Sequence, residues 1–488
     1  MNITASKIYD YIQCPHKVWR DIYGPLEEKS KVVNPFVQLL WDRGVAHEEN
    51  ILKGLGKYVD IGEGSLEERS QKTLEVMKAG EPLIYQGVIK YNDLLGIPDL
   101  LKMLPDGNYV PMDIKSGAGM EGADEDSGDE GKPKKHYAFQ LCVYSETLMG
   151  VGFAKDKKGY IIDGEGKTVE YLLDDWWEKY EQTKNEVQNL MENKFKNLPA
   201  YGGVCKLCPW YESCKKWCKE TNDLSNIFYL GRGKRDRLNE ELGIQSVDQL
   251  SKVKLEELIE RKKSDKTFLK GIGEKTIGQF IKRADILTNI KKPVISGKIE
   301  LPKTAYELYF DIEDDPTRDI VYLHSIWERH NGKERFVSFV AKDDKPESEK
   351  LAWREFWDYI KKMPKDDFSV YYYSPHEKTT YRRLQKKYPD VISAEDNEAF
   401  FSNPNVIDLY RVITSSTEWP LSSYSVKEIA VYLGFKWRDE SPSGAASIEW
   451  FNSYIETKDR KHLDRILIYN EDDCKAMAVI KDFLDKQF

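Results

Sequence analysis

The residues from Gly96 to Gly117, GIPDLLKMLPDGNYVPMDIKSG, constrain the fold more than any other stretch. Pro105-Asp106-Gly107-Asn108 is turn chemistry, because Gly and Asn accept the positive φ that a tight turn needs. The flanking runs read as the two strands of a hairpin. Side chains alternate faces along a strand, so Asp113 and Lys115 share one face. Whether Asp99 joins them depends on the length of the turn. A two-residue loop, Asp106-Gly107, sets Asp99 opposite Ile114 and turns it away. A three-residue loop, Asp106 to Asn108, sets it opposite Lys115 and diagonal to Asp113. One residue of slip reverses every side chain. An odd loop therefore gathers two carboxylates and an ammonium; an even loop leaves a solvated surface hairpin.

The gathered set suits metal-assisted phosphodiester hydrolysis. Carboxylates hold hard divalent ions on oxygen, and a lysine steadies the attacking water or the charge that develops. The whole chain leaves room for such a centre and more. Its 488 residues make two to four domains. With 40% hydrophobic and 32% charged residues, the composition is that of an ordinary soluble protein. No apolar run reaches membrane-span length, and the N-terminus lacks a charged-then-apolar signal pattern. A net charge of -9 argues against a protein coated in basic patches. It leaves local basic sites open. Seven cysteines, four of them between Cys205 and Cys218, fit a metal site in a reducing, cytoplasmic compartment better than a disulfide framework.

Taken in order, the first region is expected to span residues 1–222. Ile8, Tyr11 and Ile12 share a helical face, and Cys14-Pro15 interrupts the pattern at a bend. Residues 36–55 form an amphipathic helix carrying Gly44 and His47 among polar neighbours. The stretch 116–135 is glycine-rich and acidic, a loop by composition. Gln140 and Tyr144 lie four apart on a helix. A strand hairpin is expected around Lys157-Lys158-Gly159, then a long charged helix. Cys205-x2-Cys208-x5-Cys214-x3-Cys218 is a thiolate density that signals metal. Two arrangements compete: zinc on Cys205, Cys208, Cys214 and Cys218, or an iron–sulfur cluster on Cys14, Cys205, Cys208 and Cys214.

Residues 223–295 are lysine-rich short helices. Gly271-Ile272-Gly273, between two helical patterns and just before Lys275, fits a helix-hairpin-helix element whose backbone N–H groups grip phosphate. The plainer alternative is a glycine-capped turn with a solvated charged face. No P-loop is present, so a helicase motor would act in trans. A linker is expected from Pro293 to Thr304. Residues 300–488 then bring a second acidic set: Asp311 and Glu313 on one strand face, Glu377 or Asp408 later, and Asp473 on a helix with Tyr469 one turn before it. Four carboxylates can hold two divalent ions, which clamp both oxygens of an in-line phosphoryl displacement.

At this point the residues are recognisable. The order Cys14-Pro15, Gly44 to His47, Ile97-Pro98-Asp99, Asp113-Ile114-Lys115, Gln140 to Tyr144 and the cysteines resembles the RecB-like branch of the PD-(D/E)XK nucleases. The resemblance implies a restriction-endonuclease-like domain in which His47, Asp99, Asp113 and Lys115 form the site. Gln140 and Tyr144 help place lysine and phosphate there, and Cys14, Cys205, Cys208 and Cys214 hold a [4Fe–4S] cluster. Cys218 stands outside that pattern. The last region resembles the DnaQ-like, DEDD-type exonucleases of the ribonuclease H-like fold, nearer their tyrosine variety. Glu377 is a departure, since that family usually carries Asp there. Together these imply an α/β multidomain nuclease with Mg²⁺ or Mn²⁺ as cofactor, acting on DNA that is single-stranded or has free ends. RNA processing by the last domain, or a catalytically inactive nucleic-acid-binding scaffold, are the alternatives.

Overall fold

A computed structural model describes residues 2–121, 131–194, 197–365, 367–440 and 442–486. Most of the acidic loop, residues 122–130, lies outside the described residues. The chain forms two compact units, Met1–Pro199 with Gly203–Lys215, and Ala200–Gly202 with Lys216–Phe488.

The first unit is built on a six-stranded mixed sheet. Across it the strands run Thr168–Leu172, Lys158–Ile162, Tyr109–Ile114, Leu100–Met103, Leu83–Tyr85 and Val59–Asp60. Every residue of Tyr109–Ile114 is buried. It pairs antiparallel with Leu100–Met103 and parallel with Lys158–Ile162. A parallel neighbour requires a crossover, and the helix Lys135–Gly150 supplies it. Ala138, Phe139, Leu141, Cys142 and Val143 are fully buried, so this helix is core on most of its circumference. The hairpin expected at Lys157-Lys158-Gly159 turns later. Lys158–Ile162 is itself a strand, and the chain reverses at Asp163–Lys167, where the Asp163 carboxylate accepts the N–H groups of Glu165 and Lys167. Lys158 and Gly159 thus begin a strand, with Lys157 just before it.

In the second unit a five-stranded sheet runs in the order Lys333–Val340, Ile320–His330, Tyr306–Asp315, Phe368–Tyr372, Val406–Asp408. The first three strands are antiparallel and the last two join in parallel. The C-terminal helix Arg460–Asp485 buries Cys474, Ala476, Met477 and Ile480 in a core shared with Tyr309 and Tyr371 of that sheet.

The helices between Gly231 and Asp285 belong to this second unit, with their own core of Leu238, Leu250, Phe268, Ile277 and Phe280. The expected linker at Pro293–Thr304 is partly structured, because Val294–Ile295 pairs antiparallel with Thr417–Glu418. A buried ion pair fastens the same junction. Arg283 Nε meets Glu418 Oε2 at 2.6 Å, and Arg283 Nη1 donates to the Phe228 carbonyl at 2.9 Å. Gln279 and Tyr424 donate to the same carboxylate. The guanidinium is thus paired and hydrogen-bonded on several sides, as a buried charge must be. Glu418→Ala strands Arg283 without a counter-charge and is expected to cost about 3–5 kcal/mol. Urea denaturation followed by tryptophan fluorescence measures this, and a loss below about 1 kcal/mol would show the pair to be incidental.

Candidate active site

In the second unit, Asp311 and Glu313 stand on one face of the strand Tyr306–Asp315, as period-two alternation requires. The register shifts just beyond them, between Glu313 and Asp314, where Tyr322 is the extra residue of the partner strand. Bulges of this kind re-aim side chains beside functional sites. Asp473 arrives from the C-terminal helix. One carboxylate oxygen from each of Asp311, Glu313 and Asp473 lies within 4.8 Å of the others. Among the described residues this is the one group of three potential metal ligands that approaches so closely.

Glu377 flanks this trio and is not part of it. It is buried, accepts from the Ser374 hydroxyl at 3.5 Å, and adds to the repulsion that Asp311 feels. Asp408, the alternative fourth acid, is occupied as a helix cap. Its Oδ1 accepts the backbone N–H groups of Arg411 and Ser374. Tyr469 donates to Asp473 and accepts from Lys427 Nζ at 3.0 Å, so both sides of its hydroxyl are used.

The acids are held apart from water by partners that the sequence pattern did not reveal. Asn470 Nδ2 donates to Asp311 Oδ2 at 2.7 Å and to Glu313 Oε1 at 3.1 Å, while its carbonyl accepts from Ser325. Trp437 Nε1 donates to Asp473 Oδ1 at 2.7 Å, and Ser447 donates to Glu313. Asn470 follows Tyr469 directly, so helix geometry gave a faint signal. Trp437 and Ser447 come from loops and helices with no periodic relation to the acids.

Burial raises every carboxyl here, and repulsion from the other site acids adds to it at Asp311 and Glu313. Asp311 is pushed well above its ordinary range by burial and by Asp473, Glu313 and Glu377. Glu313 rises to about 8 and Glu377 to about 7, burial being the main cause in both. Asp473 is raised for the same reason, against the pull of Lys427. Oxygen donors crowded this way suit a hard divalent cation, whose charge removes the repulsion.

The first unit assembles a different centre. The hairpin loop is odd, with Leu104 bonded to Asn108 and Pro105, Asp106 and Gly107 at the tip. Leu100 faces Met112, and continuing that register sets Asp99 directly opposite Asp113, two residues from the expected Lys115 and so on the same face. The Asp99 N–H donates to Asp113 Oδ1 at 3.3 Å, and Asp99 Oδ2 accepts from the Ile114 N–H at 2.7 Å. Lys115 Nζ lies 2.7 Å from Asp113 Oδ2. Burial, then the Asp113 charge, lifts Asp99 to about 8. Lys115 is raised because Asp113 and Asp99 outweigh its own burial. Tyr144 is buried against the same two acids, and Gln140 Oε1 is buried with no hydrogen-bond partner. His47 is placed differently from the expectation. Its Nε2 donates to the Asp163 carbonyl at 2.9 Å, leaving only Nδ1 as a potential donor to metal. Glu48, the next residue, adds to the repulsion on Asp99, and Gln86 donates to both Glu48 and Asp99 at 3.3 Å.

Cys14 is the break between the helices Ala5–Gln13 and Pro15–Tyr23. Cys208 and Cys214 are raised by burial, Cys214 to about 12, and both also feel Cys14 and Cys205. Cys218 belongs to the second unit, buried, with the Ser225 hydroxyl 3.6 Å from its sulfur. In the helical stretch, Gly271 has φ +86 and Gly273 precedes the helix Glu274–Asp285, with Lys275 exposed in its first turn.

Residues 308–485 match the family model of the RNase_H superfamily. That span contains Asp311, Glu313, Glu377, Tyr469 and Asp473, and it identifies an RNase H-like domain in the C-terminal part of a mixed α/β protein. No curated protein and no solved structure matches the chain. No described helix is long and apolar enough to cross a membrane.

The raised carboxyls set a stability profile. Folded Glu313 and Glu377 keep protons that the unfolded groups, near 4.3, have already released. Unfolding then releases protons between about pH 4 and 8, so metal-free stability falls as pH rises through that window. Melting curves in EDTA are expected to drop from about pH 5 to about pH 8. Mn²⁺ should restore most at the upper end, and Glu313→Gln should flatten the slope.

Proposed function

We propose that this chain is a metal-dependent nuclease that hydrolyses phosphodiester bonds, with Asp311, Glu313 and Asp473 as its principal metal-binding residues. The observation that carries this reading is the convergence of those three carboxylates inside the segment that matches the RNase_H superfamily. A divalent cation, Mg²⁺ or Mn²⁺, supplies charge neutralisation and Lewis acidity when bound. The chain's own residues do the positioning. Asn470 and Trp437 fix the carboxylate orientations. Glu377 adds a fourth acid at the edge. Tyr469, donating to Asp473 and accepting from Lys427, holds that carboxylate in place.

The first unit is proposed as a second hydrolytic centre of the RecB-like kind. In its favour are Asp99 opposite Asp113, Lys115 beside Asp113, and the orphaned Gln140 oxygen. Single-stranded or end-bearing DNA is the proposed substrate. The cysteines Cys14, Cys205, Cys208 and Cys214 are proposed to hold [4Fe–4S]. Burial raises the Cys208 and Cys214 thiols, and both feel Cys14 and Cys205, so the four share one electrostatic neighbourhood.

Cleavage of matched DNA and RNA oligonucleotides with Mn²⁺ tests the reading. Asp311→Asn is expected to slow hydrolysis at least about 100-fold, since it removes a direct metal ligand. If Lys115→Ala abolishes activity and Asp311→Asn does not, the chemistry belongs to the first unit. Faster cleavage of RNA would favour the processing alternative, and no cleavage with any divalent metal the inactive scaffold. Anaerobically purified protein is expected to absorb near about 400 nm; a colourless zinc protein would overturn the cluster assignment.

A further inference from the structure

The helical part of the second unit contains an internal repeat that its sequence shows only weakly. At an offset of 40 residues, Tyr229 and Leu269 both have positive φ, 63° and 46°, and Gly231 and Gly271 follow at 66° and 86°; Gly273 then caps the second helix, whereas Gly233 already lies in the first turn of the first helix. Each turn opens a helix, Gly231–Leu242 and Glu274–Asp285. A bulky residue at positive φ is an outlier, and the two turns use it oppositely. Leu269 is buried at 1% exposure, whereas Tyr229 is 63% exposed. In one repeat the strained position serves the core; in the other it turns an aromatic ring to solvent.

The two turns share a cavity of about 440 Å³. Arg232, Lys234, Arg237 and Lys270 line it, and no acidic residue does. Arg237 also pairs with Glu241 at 3.8 Å, yet four cations on one small concavity, in a chain of net charge -9, still concentrate positive potential there. A Cβ added at Gly231, Gly233 or Gly271 would meet nothing within 4 Å, so an anion has room to approach the backbone. Tyr229 stands at the cavity wall, and its hydroxyl lies 2.9 Å from that of Tyr410. The Tyr410 ring is 5.7 Å from Tyr373, whose neighbour Ser374 donates to Glu377. A tyrosine track therefore joins the basic cavity to the edge of the acid site.

Cations and an exposed aromatic ring side by side are the two contacts that bind an unpaired strand, one to phosphate and one to a base face. We propose that this cavity anchors the phosphodiester backbone of single-stranded nucleic acid, that Tyr229 stacks one of its bases, and that the tyrosine track leads the strand to Glu377 and the acid site. The last clause rests on the hydrolytic reading of that site; the anchor does not.

Fluorescence anisotropy in EDTA, where no hydrolysis occurs, separates the two. The full chain is titrated against labelled oligothymidylate, oligouridylate and a blunt duplex. Arg232→Ala with Lys234→Ala is expected to weaken single-strand binding and to reduce the log–log salt slope by about 1.4, or about 0.7 per lost phosphate contact. Tyr229→Asn, which tolerates positive φ, is expected to lose about tenfold in affinity with the slope unchanged. Lys361→Ala with Lys362→Ala removes equal charge elsewhere and should leave both quantities alone. The anchor is overturned if the cavity pair binds like wild type, if the control pair weakens binding equally, or if the duplex binds more tightly than both single strands. Melting temperatures of the variants guard against unfolding as the cause. Intact binding by a wild-type protein that cleaves nothing with Mn²⁺ would overturn the hydrolytic reading alone.

Discussion

Like charge at close range governs the second unit. Three carboxylates share a space of a few ångströms away from bulk water, and each is raised by burial and by its neighbours. Buried like charges cannot all ionise without a counter-charge. Much of the local structure manages that conflict. Asn470 spans two of the acids, Trp437 and Tyr469 hold the third, and Ser447 reaches Glu313. These neutral donors orient the carboxylates but do not cancel their charge. Lys427 contributes from behind Tyr469 and does not bridge the acids. The arrangement is complete in geometry and incomplete in charge, which is the physical signature of a cation site.

The first unit resolves the same conflict internally. Lys115 sits against Asp113, and Asp99 leans on the backbone N–H of Ile114. Burial and the Asp113 charge keep the Asp99 carboxyl strongly raised. The built-in ammonium of Lys115 offsets part of the charge that the two acids place in the interior. The two centres thus represent two ways of placing carboxylates in a protein interior, one paired with an ammonium of the chain and one held by neutral donors.

Arg283 and Glu418 give the second unit its unity. Their buried pair, with the short ribbon of Val294–Ile295 and Thr417–Glu418, makes the helical stretch and the sheet domain one packed body. A basic cavity on such a stretch has a fixed relation to the acid site, which a flexible linker would not provide. The tyrosines from Tyr229 to Tyr373 span that fixed distance.

Local chemistry alone determined a good deal. The turn at Pro105 to Asn108 demanded a hairpin, the D-x-E of Asp311 and Glu313 demanded a shared strand face, and Tyr469 and Asp473 one turn apart demanded a shared helix face. Each follows from a period of 2 or 3.6, which the chain carries in its own order. Tertiary structure decided what those periods leave open. It set the hairpin register two residues from expectation, on the same face, because strand pairing and not the turn residues fixes which side chains oppose. It assigned Asp408 to a helix cap, left Glu377 beside the trio, and gave one nitrogen of His47 to a carbonyl. It turned part of an apparent linker into a ribbon strand held by Arg283 and Glu418. Asn470, Trp437, Lys427 and the second glycine turn at Gly231 were invisible beforehand for one reason: their partners are distant in sequence, and only packing brings them together.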